Sequence, residues 1–419
     1  MGTISITELE LASILVVLAA TFGVINYFLL RLPQTIGLVV IALGTSFAVM
    51  ALHAWFPGLG LADLVRHHVR DFDFNEALMH GMLGFLLFAG ALHVDLESLR
   101  ANRNVIALAA SVGVVASAIL VALGFQWLSG VPFLVALVFG ALISPTDPVA
   151  VLSVLKDAGV PQSLEAKIAG ESLFNDGVGY VVFLIVAALA FSQGHGEATG
   201  ALDIAWLLLW ETGGGAVLGG FAGWLVFQAM KRIDEYSLEV LLTLALVMGT
   251  YALASRLHVS GPIAVVLAGL FIGSHGVRHG MSETTREHVT KFWRMIDEIL
   301  NAVLFLIIGL EVFALQYEKN AMFIALGCIP LVLAARLLTI GGIIGGMRLR
   351  RTFTAGALPI MVWGGLRGGI SVALVLSLPP FPQKDLLLMA TYVVVIFSII
   401  VQGLTIKPLA RRWLREAGS

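Results

Sequence analysis

Two acidic residues lie inside otherwise apolar stretches of this 419-residue sequence, and each has neighbours that carry side-chain oxygens. Asp147 belongs to the segment SPTDP, next to Thr146, and Asp176 belongs to the segment GESLFNDGV, which also contains Ser172 and Asn175. Carboxylate and hydroxyl oxygens are ligands that suit a hard cation, and a carboxylate can also take up a proton. The residue types therefore predict a site for a proton or a cation.

The composition indicates that these acids belong to a membrane protein. Hydrophobic residues make up 58% of the sequence and charged residues only 12%, with a mean hydropathy of +0.95, whereas a soluble domain averages about 25% charged residues. The formal net charge of −2 gives no support to nucleic-acid binding. A single cysteine, Cys328, excludes an intrachain disulfide and a cysteine-rich metal site. We therefore expect an all-α integral membrane protein.

Apolar runs long enough to cross a bilayer recur along the whole chain. A spanning helix needs about 20 mainly apolar residues, and the pattern predicts thirteen such helices, of which the ninth is short. The predicted spans cover residues 11–30, 34–52, 76–94, 104–128, 132–155, 164–192, 203–229, 237–256, 260–274, 292–315, 321–346, 353–378 and 385–408.

The basic residues between these spans predict the orientation. If the C-terminus is cytoplasmic, inside segments carry 18 Lys and Arg residues and outside segments carry 5. Cytoplasmic loops of membrane proteins are enriched in Lys and Arg. We therefore expect a multi-pass protein of the cell (inner) membrane with its N-terminus outside and its C-terminus in the cytoplasm.

Two of the spans contain residues that interrupt a helix. In span 5, Pro145 and Pro148 each lack a backbone donor, and Pro148 also disfavours the helical conformation at Asp147. In span 12, four glycines surround Arg367 in the segment GGLRGG. Spans 5 and 12 are seven apart, which fits two inverted six-helix repeats, spans 1–6 and 8–13, joined by span 7. Broken helices in such repeats form ion sites near the middle of the membrane.

The two carboxylates are expected at a similar depth. Asp147 lies eight residues before Leu155, and Asp176 lies eight residues after Ile168, at ends of spans 5 and 6 that share one connecting loop. Eight helical residues rise about 12 Å. Because Ser172 is four residues from Asp176, both side chains share a helix face that can meet Asp147. A cap of the second half-helix is the structural alternative for this part of span 5.

A neighbouring face of span 6 needs other partners. Glu171 and Asn175 are four residues apart, on a face turned by about 100° from that of Ser172 and Asp176. A buried glutamate needs a cation, and Arg336 in span 11 is the candidate for a structural ion pair. Asn175 either makes a helix–helix hydrogen bond or tunes the aspartate beside it. Arg367 is expected to offset either carbonyl ends or the carboxylates.

Four segments together resemble the sodium/proton antiporters of the NhaP and NHE type, within the monovalent cation/proton antiporters. They are SPTDP, GESLFNDGV, GGLRGGIS and, more weakly, FWRMIDEILNAVLFLIIGLE, and they occur in order over nearly the whole chain. The resemblance implies an NhaA-like antiporter fold and exchange of Na⁺ or Li⁺, with K⁺ as a further candidate, for H⁺ in pH homeostasis. It further implies elevator-like alternating access, no cofactor, and a lipid-embedded homodimer. The Asn-Asp pair resembles the branch that usually exchanges one cation for one proton without net charge movement.

The resemblance also assigns roles to individual residues. It implies that Asp176 and Asp147 bind the monovalent cation or the proton, with Thr146 and Ser172 supplying oxygens. It implies a structural salt bridge between Glu171 and Arg336, and it places Arg367 in the second broken helix, with Asn175 as a supporting residue. Many NhaP-type members carry an acid in a FEG-like stretch of the third span, whereas this sequence reads FAG there, with Ala89 at that position.

The same resemblance implies a division of the chain into two alternating parts. A scaffold part that forms the dimer comprises spans 1–3 and 7–10, and a core part that carries the ion comprises spans 4–6 and 11–13. The corresponding ranges are 1–103 (scaffold), 104–193 (core), 194–315 (linker span 7 and scaffold) and 316–419 (core, with a short cytoplasmic tail).

Two other transport classes and one other protein class remain as alternatives. An organic-anion symporter or facilitator on the same architecture needs an arginine free to bind a carboxylate, for which Arg367 is the candidate. An ion channel needs rings of charge or carbonyl groups, usually from several subunits. An enzyme is not expected, because the sequence contains no HExxH motif, no GxSxG motif and no nucleophile–base pair.

Overall fold

The architecture is helical throughout the part of the chain that the computed structural model describes. The only β feature there is an isolated antiparallel bridge between Asp147 and Leu366. The described residues are 8–56, 82–92, 96–147, 151, 154–155, 158–191, 201–276, 280–310, 319–348 and 356–416.

In the first half of the chain, the described residues form eight α-helices and two short π-helical segments that adjoin them. They are α1 (Glu8–Ile25, with the π segment Asn26–Leu30), α2 (Gln34–Trp55), α3 (Leu83–Leu92), α4 (Leu96–Leu108, followed by the π segment Ala109–Gly113), α5 (Val114–Ser129), α6 (Phe133–Ile143), α7 (Gln162–Phe191) and α8 (Ala201–Met230).

The second half contributes eight more. They are α9 (Tyr236–Arg256), α10 (Gly261–Phe271, followed by the π segment Ile272–Gly276), α11 (Glu283–Leu310), α12 (Lys319–Met347), α13 (Ala357–Trp363), α14 (Gly369–Leu376), α15 (Lys384–Phe397, followed by the π segment Ser398–Gln402) and α16 (Gly403–Glu416).

The predicted all-α membrane fold is confirmed. Eight helical stretches among the described residues are long and apolar enough to cross a membrane, and α3, α6 and α10 with the start of its π segment are shorter apolar helices. Helix α11 begins at Glu283, well ahead of the predicted start at residue 292. Residues 76–81 and 148–150, at the start of predicted span 3 and in the middle of predicted span 5, lie outside the described part. The count of thirteen spans stays a prediction.

Both predicted helix interruptions are present. Helix α6 ends at Ile143, and residues 144–147 follow without helical structure. Helix α13 ends at Trp363, and α14 resumes only at Gly369. Proline causes the first break by removing a backbone donor, and the glycines weaken the second helix.

The helices pack in two sets that meet along α7, α11 and α14. In one set, α6 packs on α5, α7 and α14, while α12 packs on α5 and α15. In the other, α10 packs on α3, α8 and α9, and α11 packs on α2, α3 and α9. Contacts of α7 with α10, and of α11 with α14, connect the two sets. The two interrupted helices therefore belong to the same set.

Candidate functional site

The two interrupted stretches meet backbone to backbone. The amide of Asp147 donates a hydrogen bond of 2.8 Å to the carbonyl of Leu366, which forms the isolated antiparallel bridge. Because both stretches have left the helical conformation, their backbone groups are free to pair with each other and not within a helix. This crossing sets the position of Asp147 relative to Arg367.

Helix α7 is joined to the first interruption by a polar network centred on Thr146. The Asn175 amide donates to the Thr146 hydroxyl at 2.8 Å, and the Thr146 backbone amide donates to the Asn175 side-chain oxygen at 3.2 Å. The Thr146 and Ser172 hydroxyls lie 3.0 Å apart. Of the two readings of Asn175 left open by the sequence, the helix–helix hydrogen bond is the one seen.

The Asp176 carboxylate lies within this buried region. Its residue is 7% exposed, and Ser172, one helical turn before it, is 2% exposed. Asp147 directly follows Thr146, whose hydroxyl lies 3.0 Å from that of Ser172, so the two acids flank the same contact. The structure therefore brings Asp147, Asp176, Thr146 and Ser172 together and supplies two carboxylates and two hydroxyls to one place. These are oxygen ligands of the kind a hard cation prefers.

Glu171 and Arg336 form the ion pair expected from the sequence. The guanidinium donates to both carboxylate oxygens, at 2.8 and 3.3 Å, with both residues buried. The same guanidinium donates to the carbonyl of Met361 at 3.1 and 2.9 Å. Arg336 therefore joins α12 both to α7 and to the end of α13, just before the second interruption.

Arg367 is directed at carbonyl groups of the first interruption. Its guanidinium donates to the carbonyl of Pro145 at 2.8 Å and also to the carbonyl of Ser144. These carbonyls follow the end of α6, where backbone acceptors lack helical partners and carry partial negative charge. Of the two roles left open by the sequence, stabilisation of carbonyl ends is the one seen.

Two residues that the sequence did not single out complete the second interruption. The Arg367 backbone amide donates to the Ser398 hydroxyl at 2.9 Å, and Ser398 donates to the Gln402 side chain at 2.7 Å. The Gln402 amide donates to the carbonyl of Trp363 at 2.9 Å. Ser398 and Gln402 bound a π-helical segment, and such segments often mark functional positions. The sequence signal that could have identified these two residues is their polarity inside a predicted apolar span.

Two glycines allow the closest approaches in the site. A Cβ atom at Gly368 would lie 2.5 Å from the Asp147 carboxylate, and one at Gly365 would lie 1.9 Å from the Arg336 guanidinium. Neither space can hold a methyl group unless the charged side chain moves. Both glycines are therefore needed to seat the side chains beside them.

A cavity of about 760 Å³ lies next to this site and contains acids that the sequence analysis also left unassigned. Asp297 and Glu298 line it together with Asn301, whose amide donates to the Asp297 carboxylate at 3.0 Å. Gly403 also lines the cavity, and a Cβ atom there would lie 3.8 Å from the Leu366 side chain, which places the cavity beside the second interruption. Arg31 and Lys407 line the same cavity. The sequence signal that could have identified Asp297 is that it is an acid within FWRMIDEILNAVLFLIIGLE, one of the segments that carry the family resemblance.

The position of the replaced family acid is buried in α3. Ala89 is 1% exposed, and a Cβ atom at the next residue, Gly90, would lie 3.8 Å from Leu173 of α7. The methyl group at this position adds no ligand oxygen. Among the described residues, no group of three or more His, Cys, Asp or Glu side chains is arranged to hold a metal ion.

Comparison with protein families gives one match that spans almost the whole chain. The family model described as sodium/hydrogen exchanger, transmembrane, matches residues 14–412. This range includes both interruptions and every residue of the site.

Individual proteins resemble the chain over its full length. It is 47% identical to the Na(+)/H(+) antiporter NhaP of Pseudomonas aeruginosa, with 96% of each chain covered. It is 35% identical to the Na(+)/H(+) antiporter NhaH of Halobacillus dabanensis, covering 95% of this chain and 96% of that protein. Two structures of the sodium proton antiporter MjNhaP1 from Methanocaldococcus jannaschii have a similar fold, with TM-scores of 0.73 and 0.75. They are 19% and 18% identical and cover 97% and 98% of this chain, and 98% and 99% of their own.

Proposed function

We propose that this chain, which belongs to the sodium/hydrogen exchanger family, exchanges a monovalent cation for protons across a membrane. The observation that carries the proposal is the 3.0 Å contact of the Thr146 and Ser172 hydroxyls, which brings the segments of Asp147 and Asp176 together beside the crossing of the two interrupted helices. The relatives named as Na(+)/H(+) antiporters support the same assignment. Na⁺ or Li⁺ is the proposed cation, with K⁺ as a further candidate.

Competition for one carboxylate is the proposed basis of coupling. Asp176 takes either a proton or a dehydrated cation, with Asp147, Ser172 and Thr146 supplying further oxygens. A bare carboxylate is costly to move through an apolar region, where a central charge costs about 2.5–3.5 kcal/mol on insertion scales. The site therefore crosses the barrier only when a proton or a cation neutralises it, which gives exchange without a leak.

A 1:1 exchange without net charge movement is the proposed stoichiometry. Asn175 is neutral, and its amide is already bonded to Thr146, so it adds no second exchangeable proton. Glu171 is paired with Arg336, and Arg367 is bonded to backbone carbonyls, so we assign these three charges structural roles. The engagement of Arg367 also disfavours an organic-anion carrier, because the guanidinium is committed to carbonyl groups near two acids.

The cavity lined by Asp297 is the proposed route from the cytoplasm to the site. Arg31 and Lys407, two of the basic residues that predict the inner side, line it, while Gly403 in its wall lies beside Leu366 of the second interruption. A carboxylate lining a wet cavity attracts cations ahead of the site. We accordingly place the C-terminus in the cytoplasm, the N-terminus outside and the protein in the cell (inner) membrane.

The two sets of helices suggest how the site changes sides. We propose that the set containing α5, α6, α7, α12, α14 and α15 moves as a unit, in an elevator-like way, against the set containing α2, α3 and α8–α11. Both interruptions belong to the first set, so the site travels intact. The second set provides the scaffold and the contact surface of a homodimer.

Exchange in proteoliposomes tests the proposed function. A Na⁺ gradient across vesicles that contain the purified chain should drive an opposing pH gradient, and reversing the Na⁺ gradient should reverse its sign. Clamping the membrane potential at zero with K⁺ and valinomycin should leave the initial rate unchanged if exchange is electroneutral. A current without Na⁺-dependent proton movement would identify a channel and overturn the proposal.

Substitution of Gly368 should weaken cation binding through Asp147. In Gly368→Ala the new methyl group meets the Asp147 carboxylate at 2.5 Å and displaces it. We expect the Na⁺ concentration for half-maximal exchange to rise at least about tenfold, because overpacking and a displaced ligand cost about 1–3 kcal/mol. The matched control is Gly342→Ala, since a Cβ atom at Gly342 meets nothing within 4 Å. Equal behaviour of both variants would contradict the assigned role of Asp147.

A further inference from the structure

A second acidic side chain is buried far along the sequence from the site, at the start of α9. Glu239 is 0% exposed, and neither of its carboxylate oxygens has a hydrogen-bond partner among the described residues. Leaving a buried neutral polar group without a hydrogen-bond partner costs about 1–3 kcal/mol, and leaving a buried carboxylate without a donor costs more. A buried carboxyl group normally lies beside a positive charge or carries a proton.

The oxygen-bearing residues around Glu239 come from three elements. Asp234, in the turn before α9, acts on the Glu239 carboxylate through its charge, and the Thr285 hydroxyl of α11 lies beside it. Thr285 is buried, with 2% of the residue exposed. Its hydroxyl donates to the Asp234 carboxylate at 3.5 Å and accepts a hydrogen bond from the Ser282 hydroxyl at 3.2 Å. The Thr285 hydroxyl therefore lies between two carboxylates and has a single hydrogen to donate to them.

The inner end of this cluster is closed by side chains whose hydrogens are donated to acceptors other than Glu239. Thr243, one turn further along α9, donates to the carbonyl of Val240 at 2.7 Å and accepts from the Trp293 indole at 2.9 Å. The ring of Trp293 packs on Phe88 with centroids 4.6 Å apart. The inner side of the cluster is therefore occupied, whereas the turn that contains Asp234 is exposed.

The charge of the cluster decides the class of ligand. Asp234 is exposed and hydrated, so only Glu239 carries a buried charge that needs compensation. One positive charge neutralises one buried carboxylate, whereas a divalent ion would leave one positive charge in excess at Glu239. Lys231, in the same turn, instead places its ammonium over the ring of Phe227 at 4.6 Å.

We propose that Glu239, Asp234 and the Thr285 hydroxyl form a second binding site for a monovalent alkali cation, separate from Asp147 and Asp176. The site lies where the turn 231–235 and the start of α11 meet, on the side of the membrane that we assign to the cytoplasm. Its ligands come from α9, α11 and the turn between α8 and α9, so an ion bound there fixes these elements relative to one another.

Equilibrium binding of ²²Na⁺ to the purified full chain tests the proposal. In Asp176→Asn, which removes the central carboxylate of the first site, Na⁺ binding should remain. Adding Glu239→Gln should weaken this remaining binding at least about tenfold, because a charged ligand contributes about 1.5–3 kcal/mol. Adding Asp234→Asn, at an exposed position that does not threaten folding, should also weaken it. No remaining binding in Asp176→Asn, or remaining binding that ignores Glu239→Gln, would overturn the proposal.

The matched control is Glu287→Gln in the same Asp176→Asn background. Glu287 lies on α11 but is exposed and bonded to Lys291 at 2.5 Å, and this hydrogen bond lowers the pKa of its carboxyl. Glu287→Gln should leave Na⁺ binding unchanged. Loss equal to that of Glu239→Gln, or displacement of ²²Na⁺ by Mg²⁺ but not by Li⁺ or K⁺, would contradict a monovalent site. Exchange retained by Asp176→Asn would refute the role assigned to Asp176 and would leave the test of Glu239 unaffected.

Discussion

Replacing Asp176 with alanine should abolish exchange. The variant removes the buried carboxylate that we propose takes up the proton and the cation alternately. Two opposite charges 4 Å apart interact by about 4 kcal/mol at an effective dielectric constant of 20. After the cost of desolvation, the loss of cation affinity should still be at least about a hundredfold. The measurement is the Na⁺-driven pH change in proteoliposomes at several Na⁺ concentrations.

Two further variants separate chemistry from folding in this test. Asp176→Glu keeps the carboxylate and should retain part of the exchange, because the charge is preserved while its position shifts. Thr45→Ala alters an exposed hydroxyl that bonds only along its own helix, to Ile41 at 2.9 Å, and should behave like the unaltered chain. Proton movement in response to Na⁺ by purified Asp176→Ala would refute the assignment.

Breaking the Glu171–Arg336 pair should have the largest effect on stability. Removing one partner of a buried ion pair leaves an uncompensated charge and typically costs about 3–5 kcal/mol. Glu171→Leu and Arg336→Leu should therefore each lower the melting temperature of the purified protein markedly. Arg336→Leu should be the more severe, because the carbonyl of Met361 also loses its donor.

The double variant distinguishes pairing from packing. Glu171→Leu with Arg336→Leu removes both charges, so its loss of stability should be much smaller than the sum of the two single losses. Glu287→Gln, which removes one partner of an exposed pair with Lys291, should not change the melting temperature measurably. Additive losses in the double variant would show that the two side chains do not act as a pair.

The positions of the helix breaks could be predicted because they depend on local chemistry. Pro145 and the glycines around Arg367 disfavour a helix wherever they occur. The Glu171–Arg336 pair was also predictable, because a charge in an apolar span needs an opposite charge and the predicted spans contain few charged residues. The family resemblance then supplied which oxygen-bearing residues belong with Asp176.

Other features depend on packing between residues that are distant in sequence. The sequence did not decide whether Arg367 meets carbonyl groups or carboxylates, because that choice depends on where the end of α6 lies. Asp297 and Glu239 were passed over because each lies near the start of a predicted apolar span, where an acid is usually hydrated. Only the tertiary structure shows that Glu239 is enclosed and that Asp297 lines a cavity beside the second interruption.

The most direct test of the central claim is the number of protons released when the purified chain binds Na⁺. Calorimetric titrations in buffers with different ionisation enthalpies, near the pH at which the site is half protonated, give this number. If one pocket holds either a proton or a cation, Na⁺ binding must displace a proton, and release should approach about one proton per cation as the pH falls. Asp176→Asn should release none. Tight Na⁺ binding without proton release, at every pH where exchange occurs, would contradict the account.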